Sequence, residues 1–236
     1  TATAQLPDCW SQESLGANYI TSSWSRVNSN NAGGSAWEMR SSRQVSSLVT
    51  SGTLRLKTFF FNTVGIPMIT LNFRHMIDAR STGVTFKVQS STDGINWTDE
   101  SWSSTPGSTN VPATLVTLNI TNNLNSPSTM IAFVITGNPR NYDYWYIDDV
   151  SIKAPGYWVG GTLATPTDWN TTTNWGDGIV PTSTTNAYIP LRTYLPVVFT
   201  TPATPCNNLT IEKDARVTIN PGQTLNVNGN MILKAP

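Results

Sequence analysis

Two adjacent carboxylates, Asp148 and Asp149, interrupt an otherwise apolar and aromatic run at 144–152. Successive side chains of a β-strand point to opposite faces, so Asp148 shares a face with Tyr146 and Asp149 shares the other with Trp145. At least one carboxylate must therefore lie against an apolar layer, where an unpaired charge is costly. Calcium takes hard oxygen ligands, and we predict a bound Ca²⁺ at this pair. The alternative is that both are edge carboxylates satisfied by water, arginine or backbone N–H groups.

Two groups of aromatic residues beside polar segments could bind a sugar. Trp97 and Trp102 flank an acidic, serine-rich segment, and Tyr142 and Tyr144 follow Asn-Pro-Arg-Asn at 138–141. Sugar sites use exposed aromatic rings as stacking platforms and place amides and carboxylates on the hydroxyl groups. Either group could present such a platform. Packing in the core is the alternative for each of these side chains.

Catalysis requires a nucleophile, a base and a group that orients them. The single histidine, His75, alternates with apolar residues and is expected to be a half-buried structural residue. Neither a Gly-x-Ser-x-Gly motif nor a phosphate-binding glycine loop occurs. Asp99 and Glu100 are adjacent, which suits a glycosidase poorly, and we expect them at an exposed hairpin end. We therefore expect the chain to be non-catalytic.

The elements that must position these residues are short strands. Helical periodicity is nearly absent, and apolar alternations recur between Gly, Pro, Asn and Asp residues. The alternation of Val84, Phe86 and Val88 runs into Asp93-Gly94, which is a hairpin signal. Regular short strands over residues 1–154 predict an all-β, jelly-roll β-sandwich. Seven strands are predicted in this part: 35–41, 53–61, 66–77, 83–91, 113–120, 129–136 and 143–153.

Residues 155–236 form a second part with a different composition and a different apolar spacing. It is rich in tryptophan, and we expect these rings to fill the core of a small β-domain that has few aliphatic residues. From residue 208, apolar pairs recur at a spacing of eight residues, which is consistent with successive hairpins or with the first coils of a β-solenoid. The pairs are Leu209/Ile211, Val217/Ile219 and Leu225/Val227. Because the chain starts at Thr1 without methionine and its last apolar run, 231–233, lies close to its end, we expect a segment of a longer protein.

Composition excludes several classes of partner. Only 12% of the residues are charged and the formal net charge is zero, while the 14 lysine and arginine residues form no run. A nucleic-acid footprint and an anionic-membrane footprint are therefore both missing from the sequence. The longest apolar runs are a few residues, so nothing in the sequence is long enough to insert into a membrane as a helix.

The two cysteines, Cys9 and Cys206, lie near opposite ends of the chain. We expect two separate, buried and unpaired thiols. The alternative is a disulfide that closes a very long loop and stabilises the fold by roughly 4–5 kcal/mol. Zinc is excluded, because neither Cys-x-x-Cys nor cysteine–histidine spacing occurs.

Three stretches resemble the cleaved-adhesin and MAM-like jelly-roll domains of exported surface proteins from Bacteroidetes. They are Leu6–Trp10, Phe86–Trp97 and Trp145–Val150, which come in the family's order and cover roughly residues 1–154. The tryptophan-rich stretch from Trp158 to Pro190 is similar to a segment of large exported proteins of that phylum, many of which use type IX secretion. The resemblance implies a secreted or surface-attached binding domain.

The resemblance also implies a calcium ion held by a final-strand aspartate, for which Asp148 is the better match of the pair. A second carboxylate comes from an N-terminal Phe-Glu pair in that family, which this chain does not show; we expect either that the chain begins inside or after that strand or that Glu13 substitutes. We thus expect a calcium-stabilised adhesin whose partner is a host or environmental surface protein or glycan. The alternatives are a carbohydrate-binding module of a larger secreted enzyme and a structural spacer of a surface filament. Chelation should lower the melting temperature of residues 1–154, and Asp148→Ala should abolish that effect.

Overall fold

The chain divides into two compact units in a computed structural model that describes residues 6–16, 23–48, 50–199 and 204–234. One unit comprises Thr1–Pro67 with Leu71–Ile152, and the other comprises Lys153–Pro236 with Met68–Thr70. Within these residues, strands and turns make up nearly all of the regular structure, and one 3₁₀ turn spans Thr172–Asn174. The described residues contain no helix that is long and apolar enough to cross a membrane.

The first unit is a sandwich of two five-stranded sheets, as the sequence predicts. The first sheet has the strand order β1-β4-β9-β6-β7, with antiparallel pairing throughout, and the second has the order β2-β3-β10-β5-β8. The ten strands are β1 Trp10–Leu15, β2 Trp24–Val27, β3 Glu38–Ser42, β4 Gly52–Thr58, β5 Ile69–Ala79, β6 Val84–Ser91, β7 Thr98–Ser104, β8 Val111–Ile120, β9 Met130–Gly137 and β10 Tyr142–Lys153.

All seven strands predicted for this part are present, within a few residues of the predicted bounds. The three strands that the sequence did not predict, β1, β2 and β7, are edge strands. An edge strand is only partly covered, so its sequence needs fewer apolar residues and carries a weaker alternation. For this reason the apolar pattern does not predict β1, with the sequence WSQESL, or β7, with the sequence TDESWSS.

Aromatic rings fill the space between the two sheets. Trp145 of β10 contacts the rings of Trp24, Phe86, Phe133 and Trp102, with centroid separations of 5.0–6.2 Å. Strand β5 alternates strictly between buried and half-buried residues, which is the pattern of a strand with one face on the core.

The second unit has the parallel coils of a β-solenoid. Strands β11 (Ala187–Ile189), β13 (Leu209–Ile211) and β15 (Met231–Leu233) pair in parallel at intervals of 22 residues. Strands β12 (Val197–Val198) and β14 (Thr218–Ile219) pair in parallel on another side of the coil. The eight-residue spacing in the sequence therefore corresponds to successive sides of one coil. Successive hairpins, the other alternative, are excluded because hairpins require antiparallel pairing.

Asparagine side chains connect one coil of the solenoid to the next. The Asn186 side-chain oxygen accepts from the Asn208 amide nitrogen at 2.9 Å, and the Asn208 oxygen accepts from the Asn230 backbone N–H at 2.8 Å. Such ladders of stacked amides stabilise parallel in-register strands. The rings of Trp158, Trp169 and Trp175 are buried in the core of this unit, as predicted.

The cysteines of the chain are both free. Cys206 is buried in the core of the second unit, and burial raises its pKa to about 11. Cys9 lies in a turn before β1 and is exposed, so the expectation that both thiols are buried is wrong for Cys9. Cys9 precedes the strand, in a turn with a left-handed φ of 74°, and therefore does not belong to the inward face of β1.

Candidate functional site

A loop at 28–37, between β2 and β3, covers the corner that contains the predicted calcium ligands. Glu38, at the start of β3, is fully buried and fixes this loop. Its carboxylate accepts hydrogen bonds from the Ser29 hydroxyl at 2.6 Å and from the backbone N–H groups of Asn31 and Ala32 at 2.8 Å each. Glu38 is therefore a satisfied structural carboxylate. The sequence did not single it out, because only the pairing of β3 with β10 brings it to Asp148.

Asp148 carries a buried oxygen atom without a hydrogen-bond partner. Its Oδ1 accepts from the backbone N–H of Asp149 at 2.8 Å, whereas its Oδ2 is buried and unpaired. Burial raises the pKa of Asp148, and the charges of Asp149 and Glu38 raise it further. The loop approaches so closely that a Cβ atom on Gly34 would collide with Asp148 Oδ2. The free energy of this site would fall if a cation reached that oxygen.

Asp149 lies beside Asp148 and does not occupy the opposite face, so the predicted alternation is wrong at this point. A Cβ atom on Gly34 would stand 2.9 Å from Asp149 Oδ2 as well as against Asp148. The cause is the left-handed backbone of Asp149, with a φ of 48°, which interrupts the regular strand. Arg74 of β5 places its Nε 3.4 Å from Asp149 Oδ2, in a half-exposed ion pair.

Glu13 does not join this corner. It lies on β1 of the other sheet, where its carboxylate pairs with Arg55 at 2.8 Å and Lys57 at 3.4 Å. Leu54 and Leu56 point into the core, so alternation puts Arg55 and Lys57, and Glu13 with them, on the outer face. The prediction of Glu13 as the second calcium ligand is therefore corrected. Among the described residues, no group of three or more His, Cys, Asp or Glu is arranged to hold a metal ion.

The four predicted platform aromatics have different fates. Tyr142 is fully buried and shares a hydrogen bond of 2.8 Å with the Ser41 hydroxyl, so it cannot be a platform. Trp102 is half-buried and packs edge-on against Phe73 and over Trp145, so part of its ring surface belongs to the core. The two residues have one feature in common: a sandwich this rich in aromatic residues uses their rings for core packing.

Trp97 and Tyr144 remain partly exposed. The Trp97 indole donates to the Gly94 carbonyl at 3.1 Å, and the Arg55 guanidinium lies 5.2 Å from its ring centroid. Tyr144 is 36% exposed and lies 5.1 Å from the Arg40 guanidinium. An aromatic ring fixed by a hydrogen bond or a cation keeps one orientation, which lowers the entropic cost of stacking a ligand on it.

Trp97 adjoins a continuous band of polar groups on the outer face of the first sheet, which we call the charged strip. Arg55 donates from Nε to Gln89 at 3.1 Å and from a terminal nitrogen to Glu13 at 2.8 Å. Gln89 in turn donates to Asp99 at 2.6 Å, and Lys87 donates to Asp99 at 2.9 Å. The strip comprises Glu13, Arg55, Lys57, Lys87, Gln89 and Asp99.

The charged strip crosses the whole first sheet, over the central strand β9. Val134 pairs with Arg55 on one side and with Lys87 on the other, yet it is fully buried. The long aliphatic parts of these basic side chains therefore cover it and leave the charged ends at the surface. Sequence reasoning missed the strip because its members come from four strands whose neighbours only the fold decides.

The residues considered for catalysis have structural surroundings. His75 is buried between Phe73 and Trp102, and this burial lowers its pKa to about 4. Glu100 is buried on the inner side of β7, where it accepts hydrogen bonds from Ser90 and Asn122. The expectation that Glu100 is exposed is wrong, because alternation along β7 turns it inward while Asp99 faces outward.

Comparison with known proteins gives one family match. A family described as a domain of unknown function (DUF8693) matches residues 157–235, within the second unit. No curated protein matches the chain.

Several solved structures are similar to the chain at low identity. The K1 cleaved adhesin domain of Lys-gingipain from Porphyromonas gingivalis W83 is 19% identical, with a TM-score of 0.44, and the match covers 63% of this chain and 92% of that one. The module TmCBM61, solved with β-1,4-galactotriose, is 14% identical, with a TM-score of 0.39 and coverage of 62% and 89%. The module CBM27-1 of Caldicellulosiruptor saccharolyticus, solved with mannohexaose, is 15% identical, with a TM-score of 0.40 and coverage of 59% and 87%.

Proposed function

We propose that the first unit is a non-catalytic, extracellular binding module that attaches the protein to a glycan on a host or environmental surface. The observation that supports this best is the position of Trp97 at the margin of the charged strip. A half-exposed indole ring lies there beside amide, carboxylate and guanidinium groups that are already held in place by each other. Sugar recognition needs this combination, since a pyranose has apolar ring faces and a polar edge.

The strip suits a glycan better than a catalytic role. Its carboxylates, Glu13 and Asp99, are each neutralised by basic partners, with Arg55 and Lys57 on one and Lys87 on the other. Partial burial raises the pKa of Asp99, but hydrogen bonds from Gln89 and Lys87 outweigh it and lower the pKa overall. An ionised carboxylate accepts hydrogen bonds, which serves recognition of hydroxyl groups.

Replacing Trp97 with alanine is expected to lower glycan affinity about tenfold, because about 1.4 kcal/mol of stacking is lost. The measurement is a glycan array that identifies the ligand, followed by calorimetric titration of wild type and variant. Ile95→Ala is the matched control, since Ile95 is an exposed apolar residue of the same loop that offers no ring to stack. Equal losses for the two variants, or an array without any bound glycan, would contradict the proposal and favour a surface protein as the partner.

We also propose that Ca²⁺ binds at Asp148, with Asp149 as the second carboxylate. The unpaired, buried Oδ2 of Asp148 is a ready oxygen ligand, and the Oδ2 of Asp149 faces the same point of the loop. When bound, the ion would supply the positive charge that these groups lack and would join loop 28–37 to the end of β10. Its role is to stiffen the module. Arg74 partly fills the same electrostatic need at Asp149, which predicts weak to moderate affinity.

If Ca²⁺ binds at Asp148, the order of the melting temperatures of wild type and Asp148→Asn should depend on the ion. In the presence of Ca²⁺, Asp148→Asn should melt at a lower temperature than wild type, because it loses a charged ligand. In EGTA the order should reverse or vanish, since the variant no longer buries an unpaired charge. Thermal melts of both proteins with and without the ion measure this, and Asp8→Asn, an exposed carboxylate without ion pairs in the described residues, is the control. If EGTA did not change the melting temperature of the wild-type protein, the calcium proposal would be wrong.

A spacer function is the second candidate, and the second unit favours it. Its parallel coils repeat every 22 residues, and each coil pairs with its neighbours through β-bridges and asparagine side chains. Coils of this kind stack in one dimension and can extend a binding module away from a surface.

A further inference from the structure

A cavity of about 450 Å³ opens at one end of the sandwich, away from Trp97. Three loops form it: the one after β3, the one between β5 and β6, and the one between β9 and β10. Strand β6 begins at Val84, beside this cavity, and ends at Ser91, before the loop that carries Trp97. The cavity and the charged strip therefore offer separate sites.

Arginine side chains dominate the charge of this cavity. Arg43, Arg80 and Arg140 line it, one from each loop, and no acidic residue does. Asp143, on nearby β10, pairs with Arg43 at 3.2 Å and with Arg80 at 3.5 Å. The single carboxylate of Asp143 pairs with two of the three arginines, so the three guanidinium groups keep two formal positive charges in excess. In the described part of the chain, Arg140 has no carboxylate within ion-pair distance.

Backbone contacts hold the three loops together. The Asn141 carbonyl accepts from the N–H groups of both Arg80 and Ser81, at 3.0 and 2.9 Å. The N–H of Gln44 donates to the Pro139 carbonyl at 3.0 Å. The backbone of the three loops is therefore fixed before any ligand arrives, so binding has to order only the arginine side chains.

Gly137 permits this close approach of loops. It has a left-handed φ of 101°, and a Cβ atom at this position would collide with the Gly83 carbonyl oxygen. Glycine alone combines that backbone conformation with the missing side chain. The close packing of Gly137 against Gly83, in two of the loops that form the cavity, therefore requires glycine at position 137.

We propose that this cavity binds the anionic group of an acidic polysaccharide, either a uronic-acid carboxylate or a sulfate ester. Guanidinium groups bind planar and tetrahedral oxyanions through paired N–H donors. The amides of Asn138 and Asn141, which are partly exposed, also line the cavity and suit the hydroxyl groups that surround such an anion on a sugar ring, whereas Gln44 is buried. The inference does not rest on glycan binding at Trp97, because it uses different residues at the other end of β6.

The test is calorimetric titration of the full chain with oligogalacturonate, with dextran sulfate oligosaccharides and with uncharged dextran. Binding of either charged probe but not of dextran is expected, and the two charged probes tell a carboxylate from a sulfate ligand. Arg140→Gln should weaken binding at least tenfold, because it removes one of the three guanidinium groups that line the cavity. The replacement should not disturb the fold, since Arg140 is exposed and forms no ion pair with a described residue. Lys153→Gln removes the same charge at the far end of β10 and should change affinity less than twofold.

Three results would overturn the inference. One is that no acidic sugar binds, and another is that Arg140→Gln and Lys153→Gln weaken binding equally, which would show a general charge effect. The third is that polyglutamate or inorganic phosphate binds as tightly as the acidic sugar, which would place the ligand in another chemical class. Trp97→Ala separates the two sites: it should leave acidic-sugar affinity unchanged even if its own glycan proves absent.

Discussion

Replacing Trp145 with alanine should lower the free energy of unfolding of the first unit by about 3–5 kcal/mol, a large part of the stability of a typical domain. Trp145 is fully buried, and its ring contacts four other aromatic rings from both sheets. Its removal leaves a cavity at the place where the sheets meet, and the neighbouring rings can fill it only in part. Urea denaturation followed by circular dichroism measures the loss, and hydrogen exchange in β9 and β10 assigns it to this unit.

Trp37→Ala is the matched control for Trp145. Trp37 is 49% exposed and contacts the Arg26 guanidinium at 4.6 Å, so its loss should cost less than about 1 kcal/mol. Trp145→Phe should lie between the two alanine variants, because it keeps one ring and removes an indole N–H that is buried without a partner. If Trp145→Ala and Trp37→Ala destabilise the protein equally, the aromatic core does not hold the sheets together.

The stability of the first unit should fall as the pH drops from about 6.5 to about 4, because of His75. Burial lowers its pKa to about 4 from an ordinary value of 6.5, so the folded protein keeps the ring neutral while the unfolded chain takes up a proton. The stabilisation is complete above the unfolded pKa and is lost as the pH falls toward the folded one. Its full size is about 3 kcal/mol, from about 1.4 kcal/mol for each unit of pKa.

His75→Phe should remove this pH dependence and retain the ring contacts with Phe73 and Trp102. Urea denaturation of both proteins at pH values between 7 and 4.5 measures the difference, which should grow as the pH falls. His75 is the only histidine of the chain, so no other imidazole contributes to it. If the free energy of unfolding changed equally with pH in the two proteins, folding would not lower the pKa of His75, and this prediction would be wrong.

The sequence alone determined the fold class and most strands, because apolar alternation is a local property. Val84, Phe86 and Val88 predict β6 without reference to any partner, and Asp93-Gly94 predicts the turn toward β7. It also determined that the tryptophans of the second part are core residues, since that part offers few other large apolar side chains. The eight-residue spacing of apolar pairs left two alternatives, successive hairpins and a β-solenoid. Only the parallel pairing of the strands decided for the solenoid.

The tertiary structure alone decided which side chains meet. Glu38 reaches Asp148 because β3 pairs with β10, and Glu13 is kept from it because β1 belongs to the other sheet. The charged strip and the arginine cavity each join residues from separate strands or loops, at sequence distances that no motif can span. Strand order and sheet pairing are non-local properties, set by how the whole chain buries its apolar surface, and for this reason the sequence indicated single candidates such as Trp97 and Asp148 but not the residues that surround them.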